Sequence, residues 1–249
     1  MVFPTGKAAE LLDIGVELAP HIAQLYPEGV IATHVHGAVP ACHLLEQERE
    51  AVAGAVDRRV AEFAAGRVCA RAALSVLGFT ELPLLPGADR APQWPVGVTG
   101  SISHTDGYCV AVAGYTGKFS GLGVDAERCD RLHQSLWQLA FRSDEIASLN
   151  ALDEAHRLAI ATTMFSAKEA FYKCQYSITR SWLDFKDATV HLKSDAFSIS
   201  LREGLESLSS HIRCANGRFT RVGDLIVAAI AIGDGLSGWS PGSVLCARS

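Results

Sequence analysis

Two carboxylates set two residues apart, in Gly123-Val124-Asp125-Ala126-Glu127, close an apolar run near the middle of the chain. On a strand, side chains alternate between faces, so Asp125 and Glu127 share a face while Ala126 turns away and offers no ligand. Like charges that close call for a cation. A hard divalent ion such as Mg2+ takes oxygen ligands, keeps several waters and accepts substrate phosphate oxygens into its shell. A solvated strand end, its acids facing water or paired with Arg128 and Arg131, accounts equally well for these five residues taken alone.

A second stretch, Phe165-Ser166-Ala167-Lys168-Glu169-Ala170-Phe171-Tyr172-Lys173, lies in a segment free of Pro and Gly. Helical spacing makes Glu169 and Lys173 i,i+4 neighbours and puts Phe165 and Tyr172 on the buried stripe; an ordinary surface ion pair is the plainer outcome of that spacing. A third stretch, Gly100-Ser101-Ile102-Ser103-His104-Thr105, offers hydroxyls, backbone N–H groups and an imidazole to an anion. The Ser103-His104 adjacency does not make a serine hydrolase, since sequence neighbours rarely face each other and no G-x-S-x-G elbow surrounds either serine. Finally, Arg59, Arg67 and Arg71 approach one face of a helix, where forked guanidinium groups suit phosphate. With Arg58, Asp57 and Glu62 interleaved, an exposed charged face would read the same way.

These residues need elements to hold them. From about Leu44 to Leu77 the apolar spacing is helical, divided near Gly54 and stopped by Gly78. Pro83 to Gly100 is rich in breakers and reads as a long loop. Tyr108–Tyr115 and Phe119–Glu127 are β-like runs, and the short Thr116-Gly117-Lys118 link predicts that they form a hairpin. Helical blocks follow over about Leu132–Leu152 and Glu154–Tyr176. Next come a strand pair, Ala188–Lys193 with Phe197–Leu201 turned at Ser194-Asp195, and a last apolar run, Leu225–Ile232.

The chain has 249 residues, room for one large domain or two small ones. Hydrophobic types make up 49% and charged types 20%, so a sizeable core is expected rather than disorder. A net charge of −5 excludes a surface that coats nucleic acid, so any anion site must be a local cluster. No apolar run is long enough for a membrane span, and the opening Met1 to Gly15 is neither basic nor followed by an apolar signal core, which predicts a cytoplasmic protein. The seven cysteines, Cys42, Cys69, Cys109, Cys129, Cys174, Cys214 and Cys246, contain no C-x-x-C pair and read as small core residues in a reducing compartment.

In order along the chain, R-x-x-E-F-x-x-G-R-x-x-A-R from Arg59, R-x-P-x-W-P from Arg90, G-S-I-S-H-T, G-V-D-A-E and F-S-A-K-E-A-F-Y-K resemble the 4′-phosphopantetheinyl transferases. The match is to the Sfp-type superfamily, and more closely to its enterobactin-synthetase-component-D-like branch. It runs from about Arg59 to Asp187 and includes Ser181-Trp182-Leu183-Asp184-Phe185.

The resemblance implies transfer of phosphopantetheine from coenzyme A to a serine of an apo acyl or peptidyl carrier protein, releasing adenosine 3′,5′-bisphosphate, with Mg2+ required and Mn2+ as a substitute. By motif position, Asp125, Glu127 and Glu169 would hold the metal, and Glu169 would take the serine proton directly or through water. Lys173 and Lys168 would neutralise pyrophosphate oxygens. Arg59, Arg67 and His104 would grip the coenzyme A phosphates, Ser103 would belong to the same anion-facing stretch, and Arg90 would stand in for a loop lysine of some relatives. The implied fold is α+β, two similar subdomains related by a pseudo-twofold axis, each a small antiparallel sheet packed with a long helix. Residues 1–118 would form the phosphate-gripping half and 119–249 the metal and catalytic half, acting together as a monomer. Two rivals use some of the same residues: a divalent-metal phosphodiesterase or nuclease, disfavoured by net acidity and the lack of aromatic-basic interleaving, and a silent coenzyme A-binding module. Neither accounts for all the motifs.

Overall fold

The computed structural model describes residues 14–80, 82–205, 208, 210–233 and 236; the opening segment read above up to residue 13, and Cys246, lie outside these. The described strands form two antiparallel sheets. In the first, β1 (Glu17–Leu18), β2 (Ile31–His36), β3 (Val98–Thr105) and β4 (Tyr108–Tyr115) run in the order β1-β2-β4-β3. In the second, β5 (Gly121–Arg128), β6 (Ala188–Lys193), β7 (Ala196–Leu201), β8 (Cys214–Val222) and β9 (Leu225–Ile232) run β5-β9-β8-β7-β6. The helices that matter for the site are α1 (Glu46–Glu50) and α2 (Asp57–Val76) in the first half, and α3 (Trp137–Ala140), α4 (Ser143–Asn150) and α5 (Glu154–Thr179) in the second.

The apolar runs dictate the layering. β4 is apolar on both faces: Cys109, Ala111 and Ala113 pack beneath α2 with Phe63, Val68 and Ala72, whereas Val110 and Val112 face Leu122, Val124 and Ala126 of the second sheet. β9 repeats the pattern, with Ala228 and Ile230 under α5 and Val227 and Ala229 toward the first sheet. A strand buried on both faces reads as a continuous apolar run. The result is four layers, helix, sheet, sheet and helix.

One expectation is corrected. Tyr108–Tyr115 and Phe119–Glu127 do not form a hairpin, because β4 already has β2 and β3 on its two edges, and β5 pairs with β9. The chain crosses instead from one sheet to the other, with Phe119 buried between them. The hairpin that does form joins β3 to β4 through Asp106-Gly107, a two-residue turn in which Gly107 takes a positive φ of 70°. Further departures are smaller. β3 starts at Val98, inside the predicted loop; the block from Leu132 to Leu152 is broken into short helices; and β2 lies ahead of Leu44, where no element was expected.

Two glutamates expose the likeness of the halves. Glu48 in α1 accepts the Leu45 N–H (3.0 Å), binds Arg71 of α2 with the same oxygen, and takes the Leu84 N–H (3.0 Å) on the other. Glu145 in α4 accepts the Arg142 N–H (3.0 Å), binds Lys168 of α5 at 2.6 Å with the same oxygen, and takes the Val190 N–H (3.0 Å) on the other. In both cases acid and cation are 23 residues apart. The fold is thus α+β with two similar subdomains, each with its long helix tied to a shorter one by an ion pair whose acid is buried.

Candidate active site

Gly121, Gly123, Asp125 and Glu127 lie on the same face of β5, and the two glycines let α5 lie directly on it. A Cβ at Gly123 would sit 1.9 Å from the Ala170 carbonyl oxygen, and one at Gly121 would sit 2.8 Å from that of Cys174. This approach brings Glu169 and Lys173 of α5 beside the two strand acids. Ala126 faces the opposite way, into the core between the sheets, as its alternation requires.

Where the halves meet, the edge strands β3 and β5 are stitched by side chains. Ser101 Oγ accepts the Val124 N–H (3.1 Å) and Ser103 Oγ accepts the Ala126 N–H (3.2 Å), so the hydroxyls serve where a neighbouring strand's carbonyls would. Ser103 also donates to Asp125 Oδ1 at 2.8 Å. Lys173 Nζ donates to that same oxygen at 2.6 Å, to Ser103 Oγ at 3.1 Å and to the Val124 carbonyl at 3.3 Å. Asp125 is 3% exposed, and its Oδ2 is buried with no protein partner.

The acids feel each other. Burial, then the charge of Asp125, pushes the Glu127 carboxyl up to about 7, against the pull of Arg131 and Lys173. Burial also raises Glu169, with Asp125 adding to the rise and Lys173 opposing it. For Lys173, burial disfavours the ammonium, yet Asp125 and Glu169 outweigh it and raise the pKa. Among the described residues, no three His, Cys, Asp or Glu side chains already form a group that could hold a metal. The oxygen set nevertheless suits a hard cation in an open site: an orphaned carboxylate oxygen is fixed in place, and burial disfavours the charged form of two further acids beside it. Substrate oxygens and water would complete the shell, as Mg2+ accepts.

The other predicted residues divide into two groups. Arg59 and His104 converge on Glu62, with Arg59 Nη1 3.7 Å and His104 Nε2 4.0 Å from its Oε2. Both are exposed enough to meet an anion, and burial lowers the His104 pKa despite Glu62. Arg90 lines a cleft of about 500 Å³ whose walls come from the first half (Trp94, Ser101) and the second (Tyr172, Lys173, Tyr176). Three of the predicted residues are already engaged within the chain. Ser103 spends its hydroxyl on Asp125, Lys173 and the β5 backbone. Arg67 is 6% exposed, donates from Nε to the Leu84 carbonyl at 2.6 Å and lies over the Phe63 ring, and burial lowers its pKa to about 10. Lys168 is 2% exposed and donates to Glu145 and to the Ala140 and Phe185 carbonyls. Sequence reasoning missed an apolar slot of about 150 Å³ beside Glu169, walled by Tyr172, Trp182, Leu183 and Phe185. Its signal was Trp182, a large aromatic that remains 80% exposed.

Comparison with known proteins bears on this geometry. Residues 47–114 match the model of the 4′-phosphopantetheinyl transferase N-terminal domain, and residues 121–229 match that of the 4′-phosphopantetheinyl transferase superfamily. The 4′-phosphopantetheinyl transferase Svp of Streptomyces mobaraensis is 35% identical over 219 residues, 85% of this chain and 89% of that protein. The chain belongs to the 4′-phosphopantetheinyl transferase superfamily. Within it, this transferase is also similar to PptT of Mycobacterium tuberculosis (31% identical, covering 74% of this chain and 81% of that one) and to enterobactin synthase component D of Salmonella typhi (38% identical, covering 47% and 48%). The matched segments hold both wings of the candidate site: Arg59 and His104 in the first, Asp125, Glu127, Glu169 and Lys173 in the second.

Proposed function

We propose that this transferase moves 4′-phosphopantetheine from coenzyme A to a serine of an apo acyl or peptidyl carrier protein, with Mg2+ as the metal. The observation that carries the reading is Asp125, clamped by Lys173 and Ser103 with Oδ2 left unpartnered beside Glu127 and Glu169. Coenzyme A would lie in the cleft between the halves, its nucleotide phosphates toward Arg59, His104 and Arg90 and its pantetheine arm toward the slot at Tyr172 and Trp182. Held by Asp125, Glu127 and Glu169, Mg2+ would offset the charge that develops on the pyrophosphate.

The remaining chemistry belongs to the chain. Lys173 fixes Asp125 and places an ammonium beside the pyrophosphate. Glu169, raised by burial, accepts the serine proton directly or through a water as the serine oxygen forms its bond to the β-phosphorus. The bond from that phosphorus to the bridging oxygen breaks, and adenosine 3′,5′-bisphosphate leaves. In this reading residues 1–118 and 119–249 act as one unit in a cytoplasmic monomer. No described helix is long and apolar enough to cross a membrane.

The direct test is mass spectrometry of apo carriers incubated with the protein, coenzyme A and Mg2+. One phosphopantetheine mass is expected on the carrier; no gain across a panel of apo acyl and peptidyl carriers, with the protein shown to be folded, would sink the reading. A second expectation concerns protons. A Glu127 carboxyl titrating at about 7 is largely protonated at pH 6, but must ionise to hold a cation. Binding of Mg2+ with coenzyme A should therefore release about one proton near pH 6 and almost none at pH 9. Calorimetry in buffers of different ionisation enthalpy reads this; release that does not change with pH contradicts it.

A further inference from the structure

We propose that Asp89 is a positioning residue that latches a finger of the first half across the mouth of the cleft and so places Arg90 over the bound substrate. The role of Arg90 rests on the reading of this cleft as the coenzyme A site; the latch itself does not.

The finger is a built object. Gln93 N–H donates to the Leu85 carbonyl at 2.9 Å, Gly87 N–H to that of Ala91 at 2.8 Å, and Arg90 N–H to that of Gly87 at 2.9 Å, with Pro86 bridged to Pro92. Its root is pinned at Leu84, whose N–H goes to Glu48 and whose carbonyl takes the Arg67 Nε–H. Arg67 thus anchors the finger near the substrate's path.

At the tip, the Asp89 carboxylate is shared between the halves. Oδ1 accepts the Ala91 N–H at 3.0 Å and folds so close to Gly87 that a Cβ there would sit 2.7 Å from it. Oδ2 reaches the far wall, accepting Tyr176 O–H at 3.0 Å and Arg180 Nη1–H at 3.1 Å. Both arginines at this contact are left-handed, Arg90 with φ 66° and Arg180, the residue that caps α5, with φ 55°. A side chain other than glycine takes that conformation only when its surroundings hold it there. The contact continues into the wall itself. Tyr176 stacks on Tyr172 at 5.7 Å, and Tyr172 meets Trp182 edge-on at 5.2 Å. Asp89 is therefore bonded to Tyr176, the first ring of that wall, as well as to the finger that crosses the cleft.

Exposed ion pairs of this kind are weak, so the latch can open for a nucleotide to enter and for the product to leave. The tests use the whole protein. Asp89→Ala is expected to raise KM for coenzyme A about two- to fivefold, in keeping with an exposed charged contact, with kcat held within about twofold. Calorimetry with coenzyme A alone should show the same loss of affinity. Tyr176→Phe should weaken binding less, and Asp89→Ala with Tyr176→Phe should be no worse than Asp89→Ala by itself. Trypsin reads the latch without any ligand: cleavage after Arg90 should be several-fold faster in Asp89→Ala than in the parent. An unchanged cleavage rate overturns the latch. Faster cleavage with unchanged affinity for coenzyme A, or additive losses in the double variant, overturns the positioning role. If the parent protein binds no coenzyme A at all, the proposed function fails, and the cleavage rate alone still decides whether Asp89 holds the finger.

Discussion

Asp125→Asn is expected to lower transfer by about 10³-fold while the protein folds as before, because a site that holds Mg2+ contributes several kcal/mol to charge stabilisation and each 1.4 kcal/mol is tenfold in rate. Asparagine has the shape of aspartate. Its carbonyl can still accept from Ser103 and Lys173, which preserves the stitching between β3 and β5. What changes is the atom at Oδ2, the oxygen with no protein partner, which becomes an amide nitrogen that cannot ligate a hard cation. Asp125→Ala should lose as much activity and stability besides, since it removes the carboxylate that accepts from both Lys173 and Ser103. Single-turnover labelling of an apo carrier gives the rate, and thermal unfolding separates the two variants. Transfer by Asp125→Asn within about tenfold of the parent would remove Asp125 from the metal site.

The placing of Asp125 also shows what the sequence could and could not reveal. Strand alternation alone puts Gly121, Gly123, Asp125 and Glu127 on one face, and helical spacing alone puts Glu169 and Lys173 one turn apart. Both inferences need only local geometry, and both hold in the fold. Local geometry is silent where a long-range partner decides. Ser103 looks like an anion donor until β5 lies against β3 and engages its hydroxyl. The run from Tyr108 to Glu127 looks like a hairpin until β2, a short segment in which Ile31, Thr33 and Val35 alternate with Ala32, His34 and His36, occupies the free edge of β4. Arg59, Arg67 and Arg71 do lie near one helical face. Which of them meets solvent depends on Glu48 and Leu84, and these draw Arg71 and Arg67 inward and leave Arg59 outside. Periodicity identifies a face; only tertiary packing says what covers it.

Lys168 is the sharpest case of this, and Lys168→Met is expected to destabilise the protein by about 3–5 kcal/mol, the usual cost of leaving a buried charge without its partner. For a chain of this size that corresponds to a fall in Tm of about 6–20 °C. Lys168 Nζ joins Glu145, the Ala140 carbonyl and the Phe185 carbonyl, so it ties α5 to α4 and to the segment entering β6. Burial lowers its pKa, and Glu145 opposes that shift. Methionine fills the space but strands the carboxylate and two carbonyls. Adding Glu145→Gln should return part of the lost stability, because it removes the stranded charge, its oxygen still accepts the Val190 N–H and its amide donates to one of the vacated carbonyls, while the Arg142 N–H loses its acceptor. A lysine acting on substrate phosphate would behave otherwise: Lys168→Met would leave Tm in place and weaken coenzyme A binding, and Glu145→Gln would restore nothing. Unfolding curves of the single and double variants, with calorimetric titration of coenzyme A into each, separate the two roles. The equivalent pair in the first half, Glu48 with Arg71, should respond in the same sense, since the same acid-to-cation spacing and the same pair of backbone contacts surround it.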